Sequence, residues 1–548
     1  MTTRKKRWLY VGAGVSVVTI AGLAIAASVL SRRFEPFIRE QAILYMSRRF
    51  NCDVELAALR IKMPKMSPVN MLLTRGRGAS ARVEGEGIAM RYKGAPADAP
   101  PLFRIRDFSI KVDLGTLFDD TKKVDEVVLE GMEINVPPKG ERRPLTAEQS
   151  APASGGSGTT PVVLIREVIL KNAKLTIVPK DRAKAPLEFD LDRVTLQSDG
   201  AGKPMRYEAA LTNPKPKGRI QSSGTFGPWV ADEPSATPLA GHYSFADADL
   251  SVFKSIAGML QSTGSFEGVL SSLKARGEAR VPDFRLTMAN NPVPLFTRFE
   301  VQVDGTNGNT VLQPVNATLG STKFRTSGAV IKHEGEKRRH IDLKVDMPSG
   351  NLRDVLRLAM KGQPFMEGKL YLKTSLSLPP LSGKVREKLR LDGEFRISEG
   401  KFLKSTIQDE IDKLSRRGQG APKSEEIDEV VSGMNGSFHL ENELITFRKL
   451  AFEVPGAQVD LAGDYDLDED ALDFLGTLKL RARVSQTMTG WKRIALKPVD
   501  PFFAKEGAGT FLRIAVDGTS RQPKFGLARN KKDSPAEVEA ERARAAAK

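Results

Sequence analysis

The sequence predicts a mainly β protein carried behind one N-terminal transmembrane helix. Apolar and polar residues alternate with period two through most of the chain after residue 50, the pattern of strands with one buried face. Glycine followed two positions later by an apolar residue recurs at Gly224, Gly264, Gly368, Gly393, Gly436, Gly463, Gly476 and Gly509, a signature for opening a strand. Ahead of all this, the uncharged run Trp8–Leu30 is long enough as a helix to cross a hydrocarbon core of about 30 Å.

That run is expected to be an uncleaved anchor, with Trp8, Leu9, Leu23 and Leu30 among its membrane-facing residues. Ala24-Ile25-Ala26 resembles a signal-peptidase site, but the apolar stretch exceeds a usual signal-peptide core and Arg32-Arg33 follow it closely. Its orientation is not set by charge. Arg4, Lys5, Lys6 and Arg7 precede the span, and Arg32, Arg33, Arg39, Arg48 and Arg49 follow it. Residues 32–50 then place Phe34, Phe37, Ile38, Gln41, Leu44 and Tyr45 at helical spacing, an amphipathic helix that either lies on the bilayer or caps a sheet.

Strand patterns follow. "FSIKVDL" (108–114) alternates Phe108, Ile110, Val112 and Leu114 with polar partners, and "LEFDLDRVTL" (187–196) does so with Leu187, Phe189 and Leu191. "VVLEGMEINV" (127–136) changes phase at Gly131, from Val127 and Leu129 to Met132, Ile134 and Val136, which predicts a β-bulge or tight bend. The stretch recurs: "VDEVVLEGMEINVPPK" (124–139) matches "IREVILKNAKLTIVPK" (165–180), with Asn172 where Gly131 stood. Between the copies, 146–161 has linker composition. Asp-Gly pairs at 304–305, 392–393 and 517–518 are hairpin signals, and with no strand–helix–strand rhythm the sheet is expected to be an antiparallel meander. Helices are expected at 249–260, 351–360 and 405–418, the last capped by Gly418, and a polar helical tail after Asn530.

Composition excludes more than it selects. The formal charge is +17, but the basic residues are scattered along strands, and 7 Tyr with 3 Trp are few for a base-stacking surface, so no nucleic acid is expected. Cys52 is the only cysteine, which rules out an intramolecular disulfide and a cysteine-built metal site. His242, His333, His340 and His439 are far apart in sequence, and no zincin, phosphate-loop or nucleophile-elbow motif is present. "DYDLDEDALDFL" (464–475) starts like a calcium loop, but Glu469 occupies the glycine position and Leu475 the bidentate glutamate position, so a hairpin with an acidic edge is the expectation. No enzyme and no cofactor are expected.

The order of anchor, amphipathic helix, "VDEVVLEGMEINV" strands and glycine-marked strands resembles the AsmA family of Gram-negative envelopes, most of all over "GEFRISEGKF" to "DFLGTLKL" (393–480). The resemblance implies an inner-membrane anchor with its N-terminus cytoplasmic and the bulk periplasmic. It also implies a chorein-like N-terminal region and a long, curled, mostly antiparallel β-sheet groove with a few covering helices. On that reading residues 1–31 are a cytoplasmic stub and anchor, 32–145 the chorein-like segment, and 146–161 a linker. Residues 162–388 are then a central groove, 389–527 the AsmA-like C-terminal region, and 528–548 a tail. Phe108, Ile110, Val112, Met132, Ile134, Val136, Leu175, Ile177, Phe189, Leu191, Phe395 and Ile397 would line the groove. The implied partners are phospholipids and the inner membrane, with an outer-membrane or periplasmic protein beyond. The alternative is a non-transporting scaffold that binds an envelope protein.

The anchor is directly testable. Alkaline extraction is expected to leave the protein in the membrane pellet, and N-terminal sequencing to find residues before Ala24 intact; a mature terminus near Ala27 contradicts it.

Overall fold

The computed structural model describes residues 39–528, apart from 63, 65–78, 95–99, 117–120, 138–161, 179–184, 231–235, 425–428, 490–496, 505–508 and scattered gaps of one or two residues. The expected anchor, the linker 146–161 and the tail from 530 lie outside the described residues. Among the described residues no helix is long and apolar enough to cross a membrane. The chain is mainly β, mostly antiparallel, with few helices, and divides into two compact units: residues up to Glu233 with Thr237–Ser244, and Phe245 onward with Pro234–Ala236.

The first unit holds β1 (Cys52–Lys62), β2 (Ser80–Tyr92), β3 (Phe103–Asp113), β4 (Thr121–Val136), β5 (Val162–Ile165), β6 (Glu167–Ile177), β7 (Leu187–Ser198), β8 (Met205–Pro214) and β9 (Lys217–Phe226), and β10 (Pro238–Asp249) begins in it. β1 to β4 pair antiparallel in order. β4 then pairs parallel with β5 and β6, and β6 to β9 are antiparallel again. The repeated stretch therefore lies side by side with itself: Val127 faces Val168, Leu129 faces Leu170, Ile134 faces Leu175 and Val136 faces Ile177. A parallel pair needs a long return connection, which the segment between the copies supplies.

The phase slip is not the expected bulge. Across Gly131 the register of β3 with β4 is unbroken, Ile105 facing Met132 and Asp107 facing Glu130, so no residue is inserted. Instead Gly131 has φ 63° and Asn172 φ 49°, the left-handed conformation that glycine and asparagine adopt most readily. Gly87 of β2 is a third, at φ 69°. The registers put Ala57, Gly87, Arg106, Gly131 and Asn172 on one line across β1, β2, β3, β4 and β6. In β7 the line meets a true bulge, a register shift between Leu191 and Arg193. The slip keeps apolar residues on one side: Leu56 with Leu59, and Ile105 with Phe108, are three apart yet share one cluster, against which Leu129 and Met132 pack.

The second unit contains the short pair β11 (Ile256–Ala257) and β14 (Arg285–Leu286), and a long ladder. The ladder runs through β12 (Met259–Val269), β13 (Ser272–Val281), β15 (Leu295–Val303), β16 (Thr310–Leu319), β17 (Thr322–Ile331), β18 (His340–Asn351), β19 (Met366–Leu378), β20 (Arg390–Phe402), β21 (Ser432–Glu441), β22 (Leu444–Val454), β23 (Ala457–Asp466), β24 (Ala471–Leu480), β25 (Thr510–Thr519) and β26 (Pro523–Leu527). Every neighbouring pair in it is antiparallel. Alternate connections of such a meander share one end. At one end lie the helix Leu352–Ala359 after β18, the helix Ser405–Gly418 after β20 and the short helical turns after β24. The other end holds shorter turns and the single helical turn Val385–Lys388.

Two expected helices form and one does not. Asn351 caps Leu352–Ala359 by accepting from the Arg353 amide. Residues 249–260 instead make a 3₁₀ turn, Leu250–Val252, and then enter β11 and β12. Asp249 accepts from the Ser251 amide and Gly258, at φ 135°, turns the chain, so the i, i+3 apolar spacing is used by a turn and two strands. The acidic stretch 464–475 is a hairpin between β23 and β24. The glycine signature also reads differently. Gly393, Gly436, Gly463 and Gly476 lie inside strands, outside the left-handed region, and of the three Asp-Gly pairs only 304–305 sits in a hairpin loop.

Gly131→Ala is expected to destabilise the first unit by about 1–2 kcal/mol in urea denaturation, because a side chain must enter the left-handed region. Its Cβ would also stand 3.0 Å from that of Arg106. Asn172→Gly, which keeps that region open, is expected to change stability by only a few tenths of a kcal/mol; equal loss from both contradicts the assignment.

Candidate functional site

The candidate site is the apolar face of the sheet. In the second unit, register places Leu343, Leu376, Leu391, Leu440, Ile445, Tyr465 and Leu472 in one row across seven strands. A parallel row runs Leu372, Phe395, Gly436, Leu450, Leu461, Gly476 and Ile514. Most of these side chains are half-buried, whereas the inner residues of a two-sheet sandwich are removed from water. Within each unit the described strands form one ladder, with only the short β11–β14 pair beside it in the second, and no second sheet lies over this face.

Glycine shapes the face. Phe395 sits opposite Gly436, Phe474 opposite Gly463, Phe299 opposite Gly277 and Phe108 opposite Gly85. A Cβ added at Gly436 would stand 3.1 Å from the Phe395 ring, at Gly463 2.8 Å from that of Phe474, and at Gly277 3.2 Å from that of Phe299; at Gly85 it would overlap Phe108. Each ring thus lies down on the bare backbone of the next strand, the aromatic–glycine pairing that shields a strand glycine. Phe438, Phe395, Phe447 and Phe474 continue as a chain of ring contacts with successive centroids 6.3, 6.5 and 5.8 Å apart.

Helices cover only parts of the face. In the first unit Ala42 and Ile43, from the helical segment 39–44, pack on the cluster of Leu56, Leu59, Ile88, Ile105 and Phe108. In the second, Leu352, Val355 and Leu356 pack with Met347, Met366, Leu370 and Ile397, and Ile411 and Leu414 pack with Val430, Val454, Ala457 and Leu480. The helix Ser405–Gly418 is also held by polar groups. Buried Asp412 accepts from the amides of Glu429 and Val430, both at 3.0 Å, and from Gln408 Nε2 at 2.9 Å. Ser415 donates to the Pro455 carbonyl at 2.8 Å. The apolar residues expected to drive this helix inward are only part of its buried side.

The opposite face is polar and ion-paired. Lys174 reaches Glu188 at 3.2 Å, and this hydrogen bond holds its ammonium above the usual lysine range. Arg106 bridges Asp107 and Glu130, each at 2.7 Å. His439 meets Asp392 at 2.7 Å, and His340 meets Asp342 at 3.2 Å. Among the described residues no group of three or more His, Cys, Asp and Glu is placed to hold a metal ion.

Of the residues expected to line a groove, Ile134, Leu175 and Phe189 fall in one row, with Val136 and Ile177 in the next. Ile110 and Met132 pack against the first-unit cluster, and Val112, Leu191 and Phe395 are half-buried. Phe108 and Ile397 are different. At 8% and 7% exposed they are core residues beneath covering helices, not lining. Sequence reasoning missed Leu56 and Leu59 in β1, whose only signal is an apolar pair three apart inside a strand pattern. It also missed Phe447 and Phe474, which register alone places beside Phe438 and Gly463. Comparison of the chain with protein-family models, curated proteins and solved structures finds no match.

Asp412→Ala strips an acceptor from two buried amides and a side-chain amide, and is expected to destabilise the second unit by about 3 kcal/mol. Hydrogen exchange is expected to rise first along 405–418; unchanged protection there contradicts the role given to Asp412.

Proposed function

We propose that this chain is an inner-membrane-anchored periplasmic protein of AsmA type that binds phospholipid acyl chains along a curled apolar β-groove and helps move them between envelope membranes. The observation that carries the reading is the long apolar sheet face, over which the described strands of neither unit form a second sheet. Such a face is unfavourable in water by about 25 cal/mol for each Å² of apolar surface it leaves wet, so a bound apolar ligand stabilises it. The ligand gains as well. A diacyl lipid with about 30 methylenes faces on the order of 20–25 kcal/mol on passing through water, most of which an apolar trough removes. No catalytic group is needed for that.

Left-handed residues and bulges supply curvature, and aromatic rings packed over glycine shield the backbone of the lining. The resemblance to AsmA proteins supplies the membrane and the compartment. The scaffold alternative requires the same face to be closed by a protein partner.

Leu175→Asp tests the reading on the full chain. With acyl chains on that row, a carboxylate is expected to abolish co-purification of phospholipid, seen by native mass spectrometry of the detergent-solubilised protein, because an unpaired charge against hydrocarbon costs several kcal/mol. The melting temperature is expected to move little, since Leu175 is only half-buried. Lys174→Ala on the polar face is expected to change neither. Lipid retained by Leu175→Asp, or a wild-type protein that carries none, overturns the proposal.

A further inference from the structure

The first unit shows from which end of its strands the chain enters. Ser47 Oγ donates to the Cys52 carbonyl at 2.6 Å, at the start of β1, and Arg39 Nη1 donates to the Ala57 carbonyl at 3.1 Å, in the middle of it. Between them Ala42 and Ile43 pack on the cluster that holds Leu56 and Leu59. The helical segment therefore runs back along β1, and Arg39 stands nearer the Lys62 end than Ser47 does. Only eight residues, 31–38, separate Arg39 from the apolar run Trp8–Leu30. Fully extended they reach at most about 28 Å.

The rim at the Lys62 end carries three cations in a row. Register sets Lys62 of β1 opposite Arg82 of β2, and Arg82 opposite Lys111 of β3. Residues directly opposed in an antiparallel ladder have Cβ atoms about 5 Å apart, and like charges so placed destabilise the sheet. Lys62 holds Glu84 at 2.6 Å. The Arg82 and Lys111 side chains have no ion-pair or hydrogen-bond partner among the described residues, and Glu126, opposite Lys111 on β4, makes no ion pair with it. The other end of these strands is balanced: Arg91 meets Glu55 at 2.7 Å and Arg104 meets Glu133 at 3.5 Å. A row of this kind is a cost in isolation. Against an anionic surface it becomes favourable, because each basic side chain within a Debye length of about 8–10 Å adds to the attraction.

We propose that the Lys62–Arg82–Lys111 row docks this rim on the headgroups of an anionic bilayer, the one that holds the Trp8–Leu30 run. This rests on the anchored, lipid-binding reading above, and adds to it which end of the first-unit strands faces the membrane and what holds it there. The short link commits the row to a bilayer, since it keeps that surface within reach at all times. One residue in from the cations, on the opposite side of the sheet, Ile61, Val83, Ile110 and Val127 form a cross-strand row. The apolar face thus extends to the rim that would meet the lipid.

The test uses the full chain reconstituted in bilayers of phosphatidylcholine alone, and of equal parts phosphatidylcholine and phosphatidylglycerol. A donor fluorophore is placed on Ser80→Cys, at the start of β2 beside the row; the native Cys52 is buried and does not compete for label. Energy transfer to an acceptor on the lipid headgroups reads the ratio of docked to undocked rim. Transfer is expected to be strong in the anionic bilayer, weak in phosphatidylcholine and lost in high salt. Arg82→Gln with Lys111→Gln is expected to lower the ratio about fivefold for each cation removed. Arg82→Lys with Lys111→Arg is expected to preserve it, and Arg82→Gln alone to lose about fivefold, which keeps the test decisive should the double Gln variant not fold. Equal transfer in the two bilayers, or in wild type and Gln variants, overturns the docking row while the anchor stands. Transfer between two labelled copies in place of transfer to lipid makes the occupant a second copy and overturns the bilayer assignment. A wild type released from the membrane by alkaline extraction overturns the anchored reading itself.

Discussion

A sheet with one apolar face and no partner sheet must keep that face continuous while its strands bend, and the rest of this structure follows from that constraint. In a flat strand the side chains alternate strictly, so any bend that adds or removes a step throws the next apolar residue to the wrong side. The first unit meets this with left-handed residues in line at Gly87, Gly131 and Asn172, where two successive residues turn outward and the apolar series resumes on its original side. The polar pair Arg106–Asp107 on β3 is the outward counterpart of the same step. The second unit relies more on register shifts, among them those after Arg298, Leu312, Met347 and Ile397, and has Glu399 of β20 at φ 55°.

The same constraint explains the glycines. A strand glycine is destabilising unless something packs on it. Here phenylalanine from the neighbouring strand does, and the pairing is direct across the ladder at Phe395–Gly436 and Phe474–Gly463. The glycine backbone is thereby shielded by an apolar ring.

Connections supply the asymmetry. Because alternate turns of a meander share an end, the helix-bearing connections after β18, β20 and β24 place helical cover along one end of the second-unit ladder. Each cover is specified by polar groups as much as by apolar ones, Asp412 and Gln408 in one helix, and in the other Asp354, which accepts from Ser321 and Thr322 at 2.7 and 3.0 Å. Polar anchoring of this kind fixes a helix in one place, which apolar contact alone does less well. The opposite end holds shorter turns and the single helical turn Val385–Lys388.

Much of this was legible in the chain. The period-two runs, the helices 351–360 and 405–418, the acidic hairpin at 464–475 and the repeated kinked strand were all readable, because each depends on residues close in sequence: alternation, caps, and conformations open mainly to glycine or asparagine. The 249–260 segment was misjudged because an i, i+3 apolar spacing fits a helix and a turn between strands equally well until Asp249 and Gly258 choose. Pairing partners were out of reach. Nothing local says that the two copies of the kinked strand lie parallel and adjacent, that Phe447 meets Phe474, or that Phe108 and Ile397 sink into clusters while Ile134 and Leu175 stay half-exposed. The sequence by itself determined which side of each strand is apolar and where the backbone must turn, since those are properties of single residues and their immediate neighbours. Only the tertiary structure decided which strands stand together and how much of the apolar face is left uncovered, because both depend on contacts between residues far apart in the chain.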